Sequence, residues 1–215
     1  VNLPNSITLG RICCVPLFLW ILSSASLHGV HGRQELLAAF VFLLASLTDG
    51  VDGYLARRTN QVTTLGMLLS PLADKLLVAT AYVTLVHFAP TLVSGWIAVL
   101  IVGREFLVTG LYSVAAQEGM TLKVRDIGKL KTVVQILSVV AVLMAHAWKW
   151  WPIAGMLLPG EKIAIGLIWL MLAVSLLSAM AYFRAFWSEA VLQSKQHRRP
   201  IPFVVQHPGD KNVRA

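Results

Sequence analysis

The stretch Thr48-Asp49-Gly50-Val51-Asp52-Gly53-Tyr54-Leu55-Ala56-Arg57-Arg58 is followed closely by Gly66-Met67-Leu68-Leu69-Ser70-Pro71-Leu72-Ala73-Asp74-Lys75, and each adjoins a long apolar run. Carboxylates are not expected there unless they serve a purpose, because a charge removed from water is costly without a compensating partner. On a helix Asp49 and Asp52 stand at i and i+3, so they share a face, and Ala56 continues the same stripe. Ser70 and Asp74 stand at i and i+4 on the next helix. Clustered carboxylate oxygens call for a hard divalent cation such as Mg²⁺. Gly53 and Ala56 leave the helix surface bare enough for a flat ligand to approach, and Arg57 adds a planar donor fork suited to a diphosphate. Cation, bare surface and fork together point to a nucleotide diphosphate.

Working outward, the flanking sequence is that of a membrane protein. Hydrophobic residues make up 57% of the chain and charged residues 13%, with mean hydropathy +0.71, whereas soluble domains carry about 25% charged residues. A helix needs about 20 apolar residues to cross a bilayer. Six spans are predicted, at Thr8 to Leu27, Leu36 to Ala56, Gly66 to Ala89, Ser94 to Ala116, Ile127 to Trp148 and Ile163 to Trp187. The fold class expected is therefore all-α, polytopic, with an even number of spans and both termini on one side. Arg11, Arg57, Arg58, Lys123, Arg125, Lys129, Lys131, Arg184, Lys195, Arg198, Arg199, Lys211 and Arg214 fall on that side, against Arg33, Lys149 and Lys162 on the other. The positive-inside rule makes the terminal side cytoplasmic, and so places the acidic stretch within reach of the cytoplasm from the cell membrane.

The formal charge of +8 is accounted for by these juxtamembrane cations, which suit anionic lipid headgroups and leave no case for nucleic acid. Cys13 and Cys14 are adjacent near the cytoplasmic end, a poor geometry and compartment for a disulfide. Trp148-Lys149-Trp150-Trp151-Pro152 reads as an aromatic belt at the outer interface. Residues 1–190 are expected to form one membrane domain, and 191–215, basic and containing Pro200, Pro202 and Pro208, a flexible cytoplasmic tail.

The spaced residues resemble the motif of the CDP-alcohol phosphatidyltransferases, Asp-x2-Asp-Gly-x2-Ala-Arg-x8-Gly-x3-Asp-x3-Asp. The match falls on Asp49, Asp52, Gly53, Ala56, Arg57, Gly66 and Asp74; Ser70 stands where the family carries its third aspartate. The resemblance implies the six-helix, usually dimeric fold of that family and transfer of a phosphatidyl group from CDP-diacylglycerol to an alcohol, with release of CMP. It implies that Asp49, Asp52 and Asp74 hold Mg²⁺ or Mn²⁺, and that Asp52, Gly53, Ala56 and Arg57 bind the CDP-diacylglycerol. Asp74 is the expected general base. Two ions per site are expected, one held less tightly because Ser70 supplies a hydroxyl in place of a carboxylate.

Asn2-Leu3-Pro4-Asn5-Ser6 and Gly128-Lys129-Leu130-Lys131-Thr132 resemble the glycerol 3-phosphate-using, phosphatidylglycerophosphate-forming members of that family. Arg104, Lys129, Lys131 and Arg11 are thus expected to hold an acceptor phosphate, with Arg58 and Lys75 as lesser candidates. Arg104 also has a plainer reading, internal neutralisation by Glu105 or an aspartate, since intramembrane charges pair with one another. Inositol phosphate, phosphatidylglycerol or serine as acceptor, a weakened or non-catalytic homologue, and a cation-coupled transporter are the rival readings.

Overall fold

A computed structural model of the chain describes residues 3–24, 32–59, 64–120, 126–153 and 156–197. Six helices are present among them: α1 (Leu3–Ser23), α2 (Arg33–Thr59), α3 (Thr64–Phe88), α4 (Gly95–Gln117), α5 (Asp126–Ala147) and α6 (Gly160–His197). Each expected span overlaps one of these helices, and residues 25–27 of the first lie outside the described residues. Four contain stretches long and apolar enough to cross a membrane: Leu69–Phe88, Gly95–Gln117, Leu130–Ala147 and Gly160–Leu192. The chain is a multi-pass membrane protein. The apolar part of α1, Thr8–Ser23, is shorter, and α2 carries Asp49, Asp52, Arg57 and Arg58 in its C-terminal half.

The outward surface shows what solvent these helices were selected for. Val99 is 70% exposed and Val83 62%, and Trp20, Leu107, Leu177 and Trp169 also face outward. Lipid tails accept such a surface, where water would drive it to associate. Inside, Phe18, Phe42, Tyr82, Leu85, Ile101, Leu143, Ile168 and Met171 are fully buried. Small residues such as Ala38, Ala45, Ala81 and Ala164 lie between them, which lets backbones approach closely where no hydrophobic driving force separates helix from lipid. α1 packs on α2 and α3, α5 on α6 and α2, and α4 on α6 and α3.

Two ends of helices are fixed by glycine. α4 closes with Gly119 at φ +69°, its N–H donating to the Ala116 carbonyl while the Met120 N–H donates to that of Ala115. This pair of bonds caps carbonyls that the helix leaves unpaired. Gly32, at φ +77°, leads into α2, and a Cβ there would collide with the Trp148 ring.

The end of the molecule remote from the acidic stretch has its own polar joints. Gln34 Nε2 donates to the carbonyls of Ile21 and Leu22, both at 2.8 Å, closing the C-terminal turn of α1. Glu35 Oε1 lies 2.9 Å from His146 Nδ1, tying α2 to α5. Between α5 and α6 the chain forms an unexpected antiparallel pair, β1 (Trp150–Ile153) and β2 (Met156–Pro159), with Trp151 opposite Leu158. The aromatic run expected to be only an interfacial belt is thus built into a hairpin, anchored by Trp151 Nε1 donating to the Trp148 carbonyl. α6 also runs ten residues beyond the expected end of its span at Trp187. The rest of the expected tail, 198–215, lies outside the described residues.

Candidate active site

The motif residues lie on two neighbouring helices. Asp49, Asp52, Gly53, Ala56 and Arg57 belong to the C-terminal half of α2, and its backbone puts Asp49, Asp52 and Ala56 on one face. Their side chains lie outside the described residues, as do those of Arg58 and Lys129 on its own helix, α5. Asp49 stands ten positions before the last residue of α2, and Asp74 ten positions after the first of α3. At ~1.5 Å per residue both are about 15 Å from the junction of the two helices. Ser70 and Asp74 are half-buried on α3, one turn apart. Lys75 Nζ donates to the Pro71 carbonyl at 3.3 Å, a local contact within α3.

Arg11 is 2% exposed, and its Nε donates to the Ala45 carbonyl at 3.1 Å. Ala45 precedes Asp49 by one helical turn, so this guanidinium ties α1 to α2 just ahead of the carboxylates. A buried arginine so placed braces the motif helix.

The second group of charges lies among α4, α5 and α6. Arg104, 7% exposed, uses three donors within the protein: Nε to the Ser175 carbonyl at 3.1 Å, Nη1 to Glu105 Oε1 at 3.1 Å and Nη2 to Ser178 Oγ at 2.7 Å. Lys131 Nζ from α5 is ion-paired with the same Glu105 Oε1. The helix α3, which carries Asp74, packs on both α4 and α5 and so brings the motif beside this group. Charges taken from water survive only when their hydrogen-bonding capacity is met, and removing one partner of such a group typically costs about 3–5 kcal/mol. The internal pairing of Arg104 with Glu105 is therefore present, and it reaches further than the sequence indicated, to Lys131 and α6.

Ser175 and Ser178, three residues apart on α6, are fully buried, and the Ser175 hydroxyl has no hydrogen-bond partner. Sequence reasoning passed over both. Two small polar residues at helical spacing inside an otherwise apolar span were the available signal. Among the described residues no three metal-binding side chains cluster, a set that does not include the side chains of Asp49 and Asp52.

The comparison with known proteins is decisive about kinship. The family model described as CDP-alcohol phosphatidyltransferase matches residues 1–193. The chain belongs to the CDP-alcohol phosphatidyltransferase family. Three bacterial relatives share the name CDP-diacylglycerol--glycerol-3-phosphate 3-phosphatidyltransferase. The one from Bacillus subtilis is 38% identical over 196 residues, covering 86% of this chain and 95% of the relative. That from Rickettsia bellii is 34% identical over 184 residues, 86% and 94%, and that from Pseudomonas fluorescens 34% identical over 197 residues, 87% and 91%. As a CDP-alcohol phosphatidyltransferase the chain matches from α1 into α6, so the kinship covers the Arg104–Glu105–Lys131 group as well as the acidic motif.

Proposed function

We propose that the chain transfers the phosphatidyl group of CDP-diacylglycerol to glycerol 3-phosphate, giving phosphatidylglycerophosphate and CMP. The observation that carries this reading is the name shared by relatives that align with nearly the whole chain. The acceptor hydroxyl oxygen forms a bond to the lipid-bearing phosphorus, the diphosphate bond to CMP breaks, and Asp74 takes the hydroxyl proton. Gly53 and Ala56 admit the cytidine, while Asp52 and Arg57 meet the nucleotide and its diphosphate. Lys129 and Lys131 hold the acceptor phosphate, Arg104 supports them from the α6 side, and Arg11 keeps α2 in place.

The donor set fits a divalent cation: Asp49 and Asp52 share one face of α2, and half-buried Asp74 lies at matching depth on the helix packed beside it. We infer that these three carboxylates hold Mg²⁺ or Mn²⁺, two ions in all, with Ser70 making one position weaker. When bound, the metal offsets charge on the diphosphate and on departing CMP. All six helices are read as spans, with cytoplasmic termini and a cytoplasm-facing site, in a homodimer.

Incubating the purified protein and Mg²⁺ with CDP-diacylglycerol and one alcohol at a time, while following CMP, tests the acceptor. Glycerol 3-phosphate should release CMP and yield phosphatidylglycerophosphate, with inositol phosphate, phosphatidylglycerol and serine at least about tenfold slower in kcat/KM. Faster turnover of any of those three would assign a different acceptor.

A further inference from the structure

Glu105 has no place in the reaction just described, yet it holds together the cations around it. Its Oε1 receives both Arg104 Nη1 and Lys131 Nζ, and its side chain is 11% exposed. Arg104 is fixed from behind at two points of α6, the Ser175 carbonyl and Ser178 Oγ. The carboxylate is thereby set in space by α4 and α6 and presents a fixed anchor to a long, flexible ammonium on α5.

We propose that Glu105 is a positioning residue that aims Lys131 at the acceptor phosphate; this rests on the reading that glycerol 3-phosphate is the acceptor. A lysine ammonium has three donors and no preferred fork. With one donor engaged by Glu105, the other two are directed. A carboxylate beside a phosphate site would ordinarily repel the ligand. Here Arg104 neutralises it, so the group of Arg104, Glu105 and Lys131 keeps one net positive charge for the phosphate.

The test uses the full chain in detergent micelles, varying each substrate with the other saturating. Glu105→Gln keeps size and oxygen but loses the charge. It should raise KM for glycerol 3-phosphate about tenfold or more and leave kcat and KM for CDP-diacylglycerol within about threefold. Glu105→Asp should restore part of the loss. In a Lys131→Met background, Glu105→Gln should add nothing, because its effect passes through Lys131. An unchanged acceptor KM, an equal rise in both KM values, or a full further loss in the Lys131→Met background would overturn the proposal. Should Glu105→Gln not accumulate as folded protein, Glu105→Asp carries the same comparison: a rise that vanishes without Lys131 supports it, and an unchanged KM overturns it. Wild-type protein that fails to use glycerol 3-phosphate overturns the acceptor reading, and the positioning role with it, before any variant is made.

Discussion

Ser70 is the residue at which this chain departs most tellingly from its family pattern. It is half-buried one turn before Asp74, where a carboxylate would add a charged ligand to the proposed metal site. Ligand charge count is a main determinant of affinity for hard divalent cations. Ser70→Asp should lower the Mg²⁺ concentration for half-maximal CMP release by about tenfold, equivalent to about 1.4 kcal/mol, as measured by titrating Mg²⁺ in the rate assay. An unchanged Mg²⁺ requirement would show that position 70 does not face the metal. The placing of Asp49 and Asp52 on one face of a helix was legible at this scale, because helical spacing alone sets it. The partners of Arg104 were not: Ser175 and Ser178 lie more than seventy positions away, and no local pattern connects them.

At the scale of the element, α3, α4, α5 and α6 hold the apolar runs that hydropathy picks out, because such a run of sufficient length has little alternative in a bilayer. The ends are set by finer chemistry. Gly119 and Gly32 both adopt positive φ, but only at Gly32 would a side chain also strike a neighbour, the Trp148 ring. Gly119→Ala should therefore cost about 1 kcal/mol from backbone conformation alone, and Gly32→Ala clearly more. Thermal unfolding in one detergent would check this: the Gly32→Ala midpoint should fall further than that of Gly119→Ala, and the reverse order would contradict the close approach. The β1–β2 hairpin was hidden because Pro152 and Pro159 argue against strands, and an isolated two-stranded ribbon has little stability of its own. It persists here with its Trp151 indole N–H bonded to the Trp148 carbonyl and α6 following directly from β2. The length of α6 escaped notice because Ser188 and Glu189 interrupt the apolar run and its last residues, Gln193 to His197, are polar.

For the whole molecule, the sequence distinguished membrane from water through composition and pointed to the family through one spaced motif. It did not show how the helices of the motif meet those that carry the second group of charges. That meeting is made by α3, which packs on both α4 and α5. The same packing gives each part of the proposed reaction a separate support: α1 braces α2 through Arg11, and α6 braces α4 through Arg104.

The most direct measurement follows label from glycerol 3-phosphate into lipid, with CDP-diacylglycerol and Mg²⁺, for the wild-type chain beside Asp49→Asn and Asp74→Asn. The wild type should form labelled phosphatidylglycerophosphate with one CMP released per lipid, and each variant should lose about 10²- to 10⁴-fold in rate. Near-normal rates in both variants, or CMP release without labelled lipid, would contradict the placing of phosphatidyl transfer between α2 and α3.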